Sequence, residues 1–361
     1  MTVVAPMGHP QREEIRSLTG LRFLAAAYVL VFHSGAGFLA QVGIPSWGIR
    51  FVANGYLGVT VFFVLSGFIL GYTYRNGVGS LSGYAVARFA RIYPVYLFAL
   101  LLALPLVLHK LEATRMTSVL LMTQSWGGYA GNTGFDWVMQ AWTLSVEAVF
   151  YVVFPLIMYV VCRVRLAASL ALLALVALPI VLLGTPGISP GEAPVGIPEW
   201  VQGVPLPLLR LPEFAFGVLL SRVFLLGVVG GPSASSFRGD FAPCMIAACA
   251  CVLLCFADRT TPYFLGLFAI CVGVLIISLA CSRGLFSNFL GTRTLLLLGG
   301  ASYAIYLLQG PVREWMRVLS SDSLLVRMAY PFVLLTLAIA VFLYLETPAR
   351  KLLVSGFRRR P

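Results

Sequence analysis

The sequence predicts an all-α, polytopic transmembrane helical bundle with about ten spanning helices and both termini in the cytoplasm. Three observations predict it. The chain has 361 residues, 60% of them hydrophobic and only 11% charged, where a soluble domain carries roughly 25% charged residues. Mean hydropathy is +0.93, too apolar for a core wrapped in a wetted shell. Apolar windows close to the roughly 20 residues that cross a bilayer recur along the chain, and basic residues concentrate in alternate loops.

The windows fall at 21–40, 54–73, 93–109, 141–162, 166–183, 208–228, 242–257, 262–280, 294–311 and 326–346. The first has no clear small-residue cleavage site and many spans follow it, so it is expected to stay as an anchor. The breaks around Arg163 and Asp258 are the shortest and separate their neighbours least firmly. With a cytoplasmic N-terminus, 17 of the 25 Lys and Arg fall in inside loops and 8 outside, which sets the orientation. The outside stretches 110–140 and 184–207 are rich in Gly, Pro, Trp and Asn and suit a surface that receives a polar substrate. No long polar segment remains, so residues 1–361 read as a single membrane domain. It has a cytoplasmic N-terminal segment (1–20) and a basic cytoplasmic tail (347–361).

The net charge of +12 fits basic loops against an acidic lipid surface, so the partner it implies is the bilayer and not nucleic acid. Seven cysteines include no CxxC pair and are expected to be free thiols with no metal site. Zinc, P-loop and dinucleotide fingerprints are missing from the sequence. No internal repeat is visible, which speaks against a transporter built from inverted halves.

Polar residues within the apolar windows are the candidates for function, because burying them in hydrocarbon is costly. At a rise of 1.5 Å per residue, His33 lies about 18 Å past the inner end of the first helix. Glu147, in AWTLSVEAVFYVVFPL, enters from outside to about 9 Å. Gln309, in SYAIYLLQGP, lies near that outer level too. These three are expected to share a depth, with the carboxylate facing the imidazole. A second group lies at the inner face. Arg22 precedes His33 by eleven residues and shares its helical face, while Arg88 and Arg91 sit three apart in YAVARFARIYP. Guanidinium forks suit phosphates. About 15 Å separates the groups, a gap that coenzyme A, with phosphates at one end and a reactive arm, would fit.

The stretches SLTGLRFLAAAYVLVFHS (17–34), GYLGVTVFFVLSGFIL (55–70), ARFARIYPVY (87–96), QAWTLSVEAVFYVVFP (140–155), RLPEFAFGVLL (210–220), SYAIYLLQGP (302–311) and ETPARKLL (346–353) run in order along the chain. Together they resemble the acyltransferase-3 family of bacterial integral-membrane O-acyltransferases, in a stand-alone form without an attached hydrolase domain. The resemblance implies a multi-pass protein of the bacterial inner membrane. It implies transfer of an acyl group, typically acetyl, from cytoplasmic acyl-CoA as a donor substrate, with no tightly bound cofactor. The acceptor it implies is a hydroxyl on a glycan, a lipid-linked sugar or a macrolide-like metabolite. The family's essential Arg and His fall on Arg22 and His33, its Arg-x-x-Arg loop motif on Arg88 and Arg91, and the acidic residue of its W-S-x-E pattern on Glu147. Gln309 stands where many members have His.

On this resemblance His33 is assigned as general base and Glu147 as the group that orients it, or as an acceptor ligand. Arg22, Arg88 and Arg91 are assigned to the CoA phosphates, and Trp142, Ser145, Tyr303 and Gln309 to substrate binding. Ser66 and Ser145 are read as helix-contact residues and not as acyl-serine nucleophiles. Glu213 reads as a helix-start carboxylate, and Glu346 with Arg350 as a pair four apart at a helix end. The competing reading from another class is a proton-coupled transporter or flippase using His33 and Glu147 as a relay.

Overall fold

A computed structural model describes residues 15–41, 43–108, 112–127, 137–184, 201, 203–227, 241–258, 261, 263–320 and 324–358. Of the stretches expected to receive substrate, 110–140 and 184–207, residues 110–111, 128–136, 185–200 and 202 lie outside the described residues. Each of the ten apolar windows carries a helix, and the described residues contain no strand. The main helices are α1 (Arg16–Gln41), α2 (Ser46–Ala53), α3 (Gly58–Thr73), α4 (Leu81–Val107), α5 (Ala113–Leu120), α6 (Trp142–Val161), α7 (Leu166–Leu183), α8 (Leu211–Leu225), α9 (Phe241–Phe256), α10 (Phe264–Cys281), α11 (Arg293–Leu319), α12 (Leu324–Val341) and α13 (Thr347–Arg358). Among the described residues, eight stretches are long and apolar enough to cross a membrane. The helices α8 and α9 are shorter. Both short breaks hold, with α6 ending at Val161 before Leu166 and α9 at Phe256 before Phe264.

The end of the bundle where α1 begins is termed inner and the opposite end outer. The centre is α3, apolar all round and mostly buried, as expected of a helix enclosed by others. It reaches its neighbours through glycine. A Cβ on Gly67 would overlap the Phe214 carbonyl of α8, and a Cβ on Gly217 would overlap the Val64 carbonyl of α3. The contact is reciprocal, backbone on backbone, the device that lets membrane helices approach closely where no hydrophobic force drives them together. Gly217→Val is therefore expected to lower thermal stability in detergent by an overpacking cost of about 1–3 kcal/mol. An unchanged Tm would mean that the two backbones are free to separate.

The periphery has the opposite character. On α7, Leu175, Leu178 and Leu182 are all more than half exposed, and an exposed apolar face of this kind is what lipid solvates. Hydropathy alone placed α7 as a span; its position at the rim follows from its having almost nothing polar to bury.

One boundary differs from expectation in a way that governs the site. The window at 93–109 begins after the arginines, so they were expected in a loop. The helix α4 instead starts at Leu81, with the Ser80 hydroxyl accepting from the Gly83 N–H at 3.1 Å. Arg88 and Arg91 then lie about 10 Å and 15 Å along the helix. The charged residues do not end the span because partners within the protein receive them.

Candidate active site

The levels of the bundle can be read from its close contacts. Helices α1 and α11 run in parallel. Gly299 backs onto Thr19, and Arg313 Nη1 donates to the His33 carbonyl at 2.9 Å, 280 positions apart in sequence. The same offset puts Tyr303 near Phe23 and Gln309 near Val29. Helix α3 descends beside α1, with Gly55 against Tyr28 and Phe32 and Gly58 against Ala25 and Val29. The chain entering α6 starts at the outer level, where Gln140 meets Gly310.

Inside this frame lies a cavity of about 900 Å³ including its open mouth. Arg22 of α1, Arg88 and Arg91 of α4, Glu147 and Tyr151 of α6, and Tyr303 and Tyr306 of α11 line it, with Val59, Phe62, Phe63, Ser66 and Leu70 of α3 forming an apolar wall. Three guanidinium groups and one carboxylate thus open into a single space.

Each cation is held differently. Arg91 forms an ion pair with Glu346, whose side chain is fully buried, and its guanidinium lies 5.6 Å from the Tyr303 ring centre. The Tyr303 hydroxyl donates to the Ile92 carbonyl at 2.9 Å, fixing that ring beside α4. Arg88 makes no direct ion pair among the described residues, though the Glu147 carboxylate acts on it electrostatically; it sits 5.9, 5.8 and 5.5 Å from the ring centres of Tyr74, Tyr84 and Tyr151. Three electron-rich faces stabilise a cation that has left water and leave its N–H fork available to a ligand. Glu147 accepts a hydrogen bond from the Tyr151 hydroxyl.

This arrangement regroups the expected residues. Glu147, expected beside His33, lies about 10 Å deeper than Gln140 along its helix and shares the cavity with the arginines. Of the group expected at the outer level, Glu147 thus joins the arginines, and His33 and Gln309 do not. Glu346, the last residue of a five-residue π-helical turn, Phe342–Glu346, pairs with Arg91 of α4 and not with Arg350. Glu213 does lie in the first turn of α8, but it is also fully buried in an ion pair, 3.1 Å from Nε of Arg210. Arg210, assigned to an outside loop, is itself buried, 5.1 Å from the Phe63 ring and 6.0 Å from the Trp142 ring.

His33, Trp142, Ser145 and Gln309 do not line the cavity. Ser145 is fully buried and its hydroxyl has no hydrogen-bond partner. Trp142 meets the cavity wall through Phe63, ring centres 6.3 Å apart. Gln309 donates to the Tyr306 carbonyl at 2.7 Å. His33 is half-buried, its ring 4.9 Å from that of Phe32. Since Val59 follows Gly58, which packs on Val29, the outer end of the cavity lies one helical turn, about 6 Å, below His33.

The sequence reading missed the aromatic cage. Two of its members were visible in the spacing: Tyr84 is four residues before Arg88, and Tyr151 four after Glu147, so each shares a helical face with its partner. Tyr74 comes from α3's end and had no such signal.

Fold and site together define a multi-pass helical membrane protein with an internal cavity lined by three arginines and a glutamate. A family model described as an acyltransferase domain matches residues 15–345, and the chain belongs to that acyltransferase-3 family. It is similar to acyltransferase MdmB of Streptomyces mycarofaciens, with 30% identity over 243 residues, 63% of this chain and 62% of the relative. It is also similar to the putative peptidoglycan O-acetyltransferase YrhL of Bacillus subtilis, with 26% identity covering 82% of this chain and 48% of the relative. A third similarity is to peptidoglycan O-acetyltransferase OatA of Listeria monocytogenes, with 25% identity covering 96% and 57%. The chain spans about half to three-fifths of the length of these relatives. No solved structure matches it.

Proposed function

We propose that the protein transfers an acyl group from acyl-CoA to a hydroxyl on a saccharide or a hydroxylated metabolite. The observation that carries this reading is the shared cavity, where Arg22, Arg88 and Arg91 face one space, about 9 to 15 Å from the inner ends of their membrane-spanning helices. Buried cations are costly in hydrocarbon, and a polyanionic donor entering from the inner end offsets that cost. Guanidinium forks recognise phosphate oxygens in two-point geometry. The apolar wall of α3 accepts the thin arm that carries the thioester.

The acceptor arrives from the outer end. Its hydroxyl oxygen attacks the thioester carbonyl, the new C–O bond forms, the C–S bond breaks, and the hydroxyl proton passes to a base and then to the departing thiolate. His33, one turn beyond the cavity, is the proposed base. One observation favours a second assignment: Glu147, hydrogen-bonded to Tyr151, is the carboxylate that lines the cavity, and it would serve as base if the hydroxyl reached deeper.

The test is release of free CoA thiol by protein purified in detergent, with acetyl-CoA and longer acyl-CoAs, with and without hydroxylated acceptors. A transporter or flippase would release none, and that result removes the reading. Arg88→Ala is expected to raise the donor KM by about 10- to 100-fold, the worth of one charged hydrogen-bonded contact. Arg88→Lys, which keeps the charge and loses the fork, is expected to recover only part. An unchanged donor KM in Arg88→Ala would take the phosphates away from this cage.

A further inference from the structure

Above the cavity, between its outer wall and His33, lie two carboxamides that nothing so far described explains. Gln140 lies in the 3-10 turn Met139–Ala141 that leads into α6 and is 2% exposed, and neither its side-chain oxygen nor its nitrogen has a hydrogen-bond partner. Gln309 of α11 is 1% exposed. Its nitrogen donates to the Tyr306 carbonyl, and its oxygen has no partner. Buried polar groups are nearly always paired, because an unpaired one forfeits about 1–3 kcal/mol of solvation. Three unpartnered amide atoms at one level, both of Gln140 and the oxygen of Gln309, are therefore an unmet demand for hydrogen bonds.

The surrounding residues tie this level to the cavity. Thr143, a cavity-wall residue, donates to the Gln140 carbonyl at 3.0 Å. Tyr306, the acceptor of the Gln309 bond, lines the cavity too. Gly310, next to Gln309, faces the Gln140 carboxamide so closely that a Cβ there would lie 2.8 Å from Oε1. The absence of a side chain at 310 leaves Gln140 its position.

We propose that Gln140 and Gln309 form the acceptor-recognition site, binding two neighbouring hydroxyls of a saccharide ring. The inference rests on the acyl-transfer reading. Each carboxamide carries a donor and an acceptor in one plane, and a hydroxyl also donates and accepts, so a vicinal diol satisfies both kinds of group at once. The charges nearest this level are accounted for, Arg210 beside Trp142 by Glu213 and Arg313 by the His33 carbonyl, so it suits an uncharged polyol and leaves the anionic donor to the inner end. A sugar held here sits between the thioester's arm and His33.

The experiment measures saccharide binding and turnover on the full chain in detergent. The probes are methyl glycosides of common hexoses and their single-deoxy analogues. Gln140→Leu removes an unpaired buried amide, so its Tm is expected to hold or rise. Its acceptor KM is expected to rise at least 10-fold, while donor KM and acceptor-independent thiol release stay unchanged. Gly310→Ala, which leaves both glutamines in place, is expected to raise acceptor KM in the same direction by displacing Gln140. In wild type, a methyl glycoside raises Tm and the analogue lacking one of two adjacent hydroxyls does not; Gln140→Leu removes that difference. A lower Tm in Gln140→Leu with unchanged acceptor KM would assign the glutamine to structure and overturn the proposal. If wild type releases no thiol with any donor, the acyl-transfer reading fails, and the Tm shift alone decides whether the glutamines bind a saccharide. Its absence overturns that too.

Discussion

His33→Ala is expected to lower the rate of acyl transfer by about 10²- to 10⁴-fold, the usual contribution of a positioned general base, with donor KM little changed. The argument is one of position. His33 lies one turn above the outer end of the cavity, its backbone carbonyl held by Arg313 and its ring steadied by Phe32. Glu147 lies at the arginine level, hydrogen-bonded to Tyr151. A hydroxyl delivered from the outer end meets the imidazole before it meets the carboxylate. Glu147→Gln, which keeps the volume and an oxygen to accept the Tyr151 hydrogen bond, is therefore expected to cost much less, about 10-fold. The two variants decide between the two bases, because the larger loss marks the base and an equal loss marks a coupled pair. The pH profile gives an independent reading. Protonation removes the imidazole lone pair, so transfer by the wild type falls on the acid side, and His33→Ala should lose that limb. If Glu147→Gln loses more activity than His33→Ala, proton acceptance belongs in the cavity.

The sequence made the bundle legible because hydropathy is a one-dimensional signal. Ten apolar windows became helices, and even the short breaks at Arg163 and Asp258 held, since two or three polar residues suffice to end an apolar run. The site was less legible, because it depends on which faces of non-adjacent helices meet. Arg88 and Arg91 read as a loop: arginine ends an apolar window on any hydropathy scale, and only the tertiary partners, a tyrosine cage and Glu346, allow the helix to begin earlier. Glu346 read as a partner of Arg350 because four-residue spacing on a regular helix is visible in sequence, whereas its actual partner, Arg91, comes from a helix 255 positions away. The Gln140 carboxamide carried no signal, since a glutamine at the start of a span is ordinary until its burial is known.

Glu346→Ala is expected to cost about 3–5 kcal/mol of stability, because removing one partner of a buried ion pair strands the other charge. Arg91 would be that charge. Its side chain is 15% exposed and lies beside Tyr303, and ring faces alone do not replace a carboxylate. Thermal unfolding in detergent measures the loss, and the same variant should lose donor affinity as Arg91 leaves its place. These two effects have separate causes and separate under a double variant. Arg91→Met combined with Glu346→Met removes both charges and fills the space with apolar volume. Such replacements of buried ion pairs are often neutral or stabilising, so Tm should return to the wild-type value or exceed it. Donor affinity should not return, because the guanidinium is gone. A double variant that stays as unstable as Glu346→Ala would show that the π-helical turn needs Glu346 for its own geometry. A double variant that is stable and binds donor normally would remove Arg91 from the phosphate site and leave Arg22 and Arg88 to hold it.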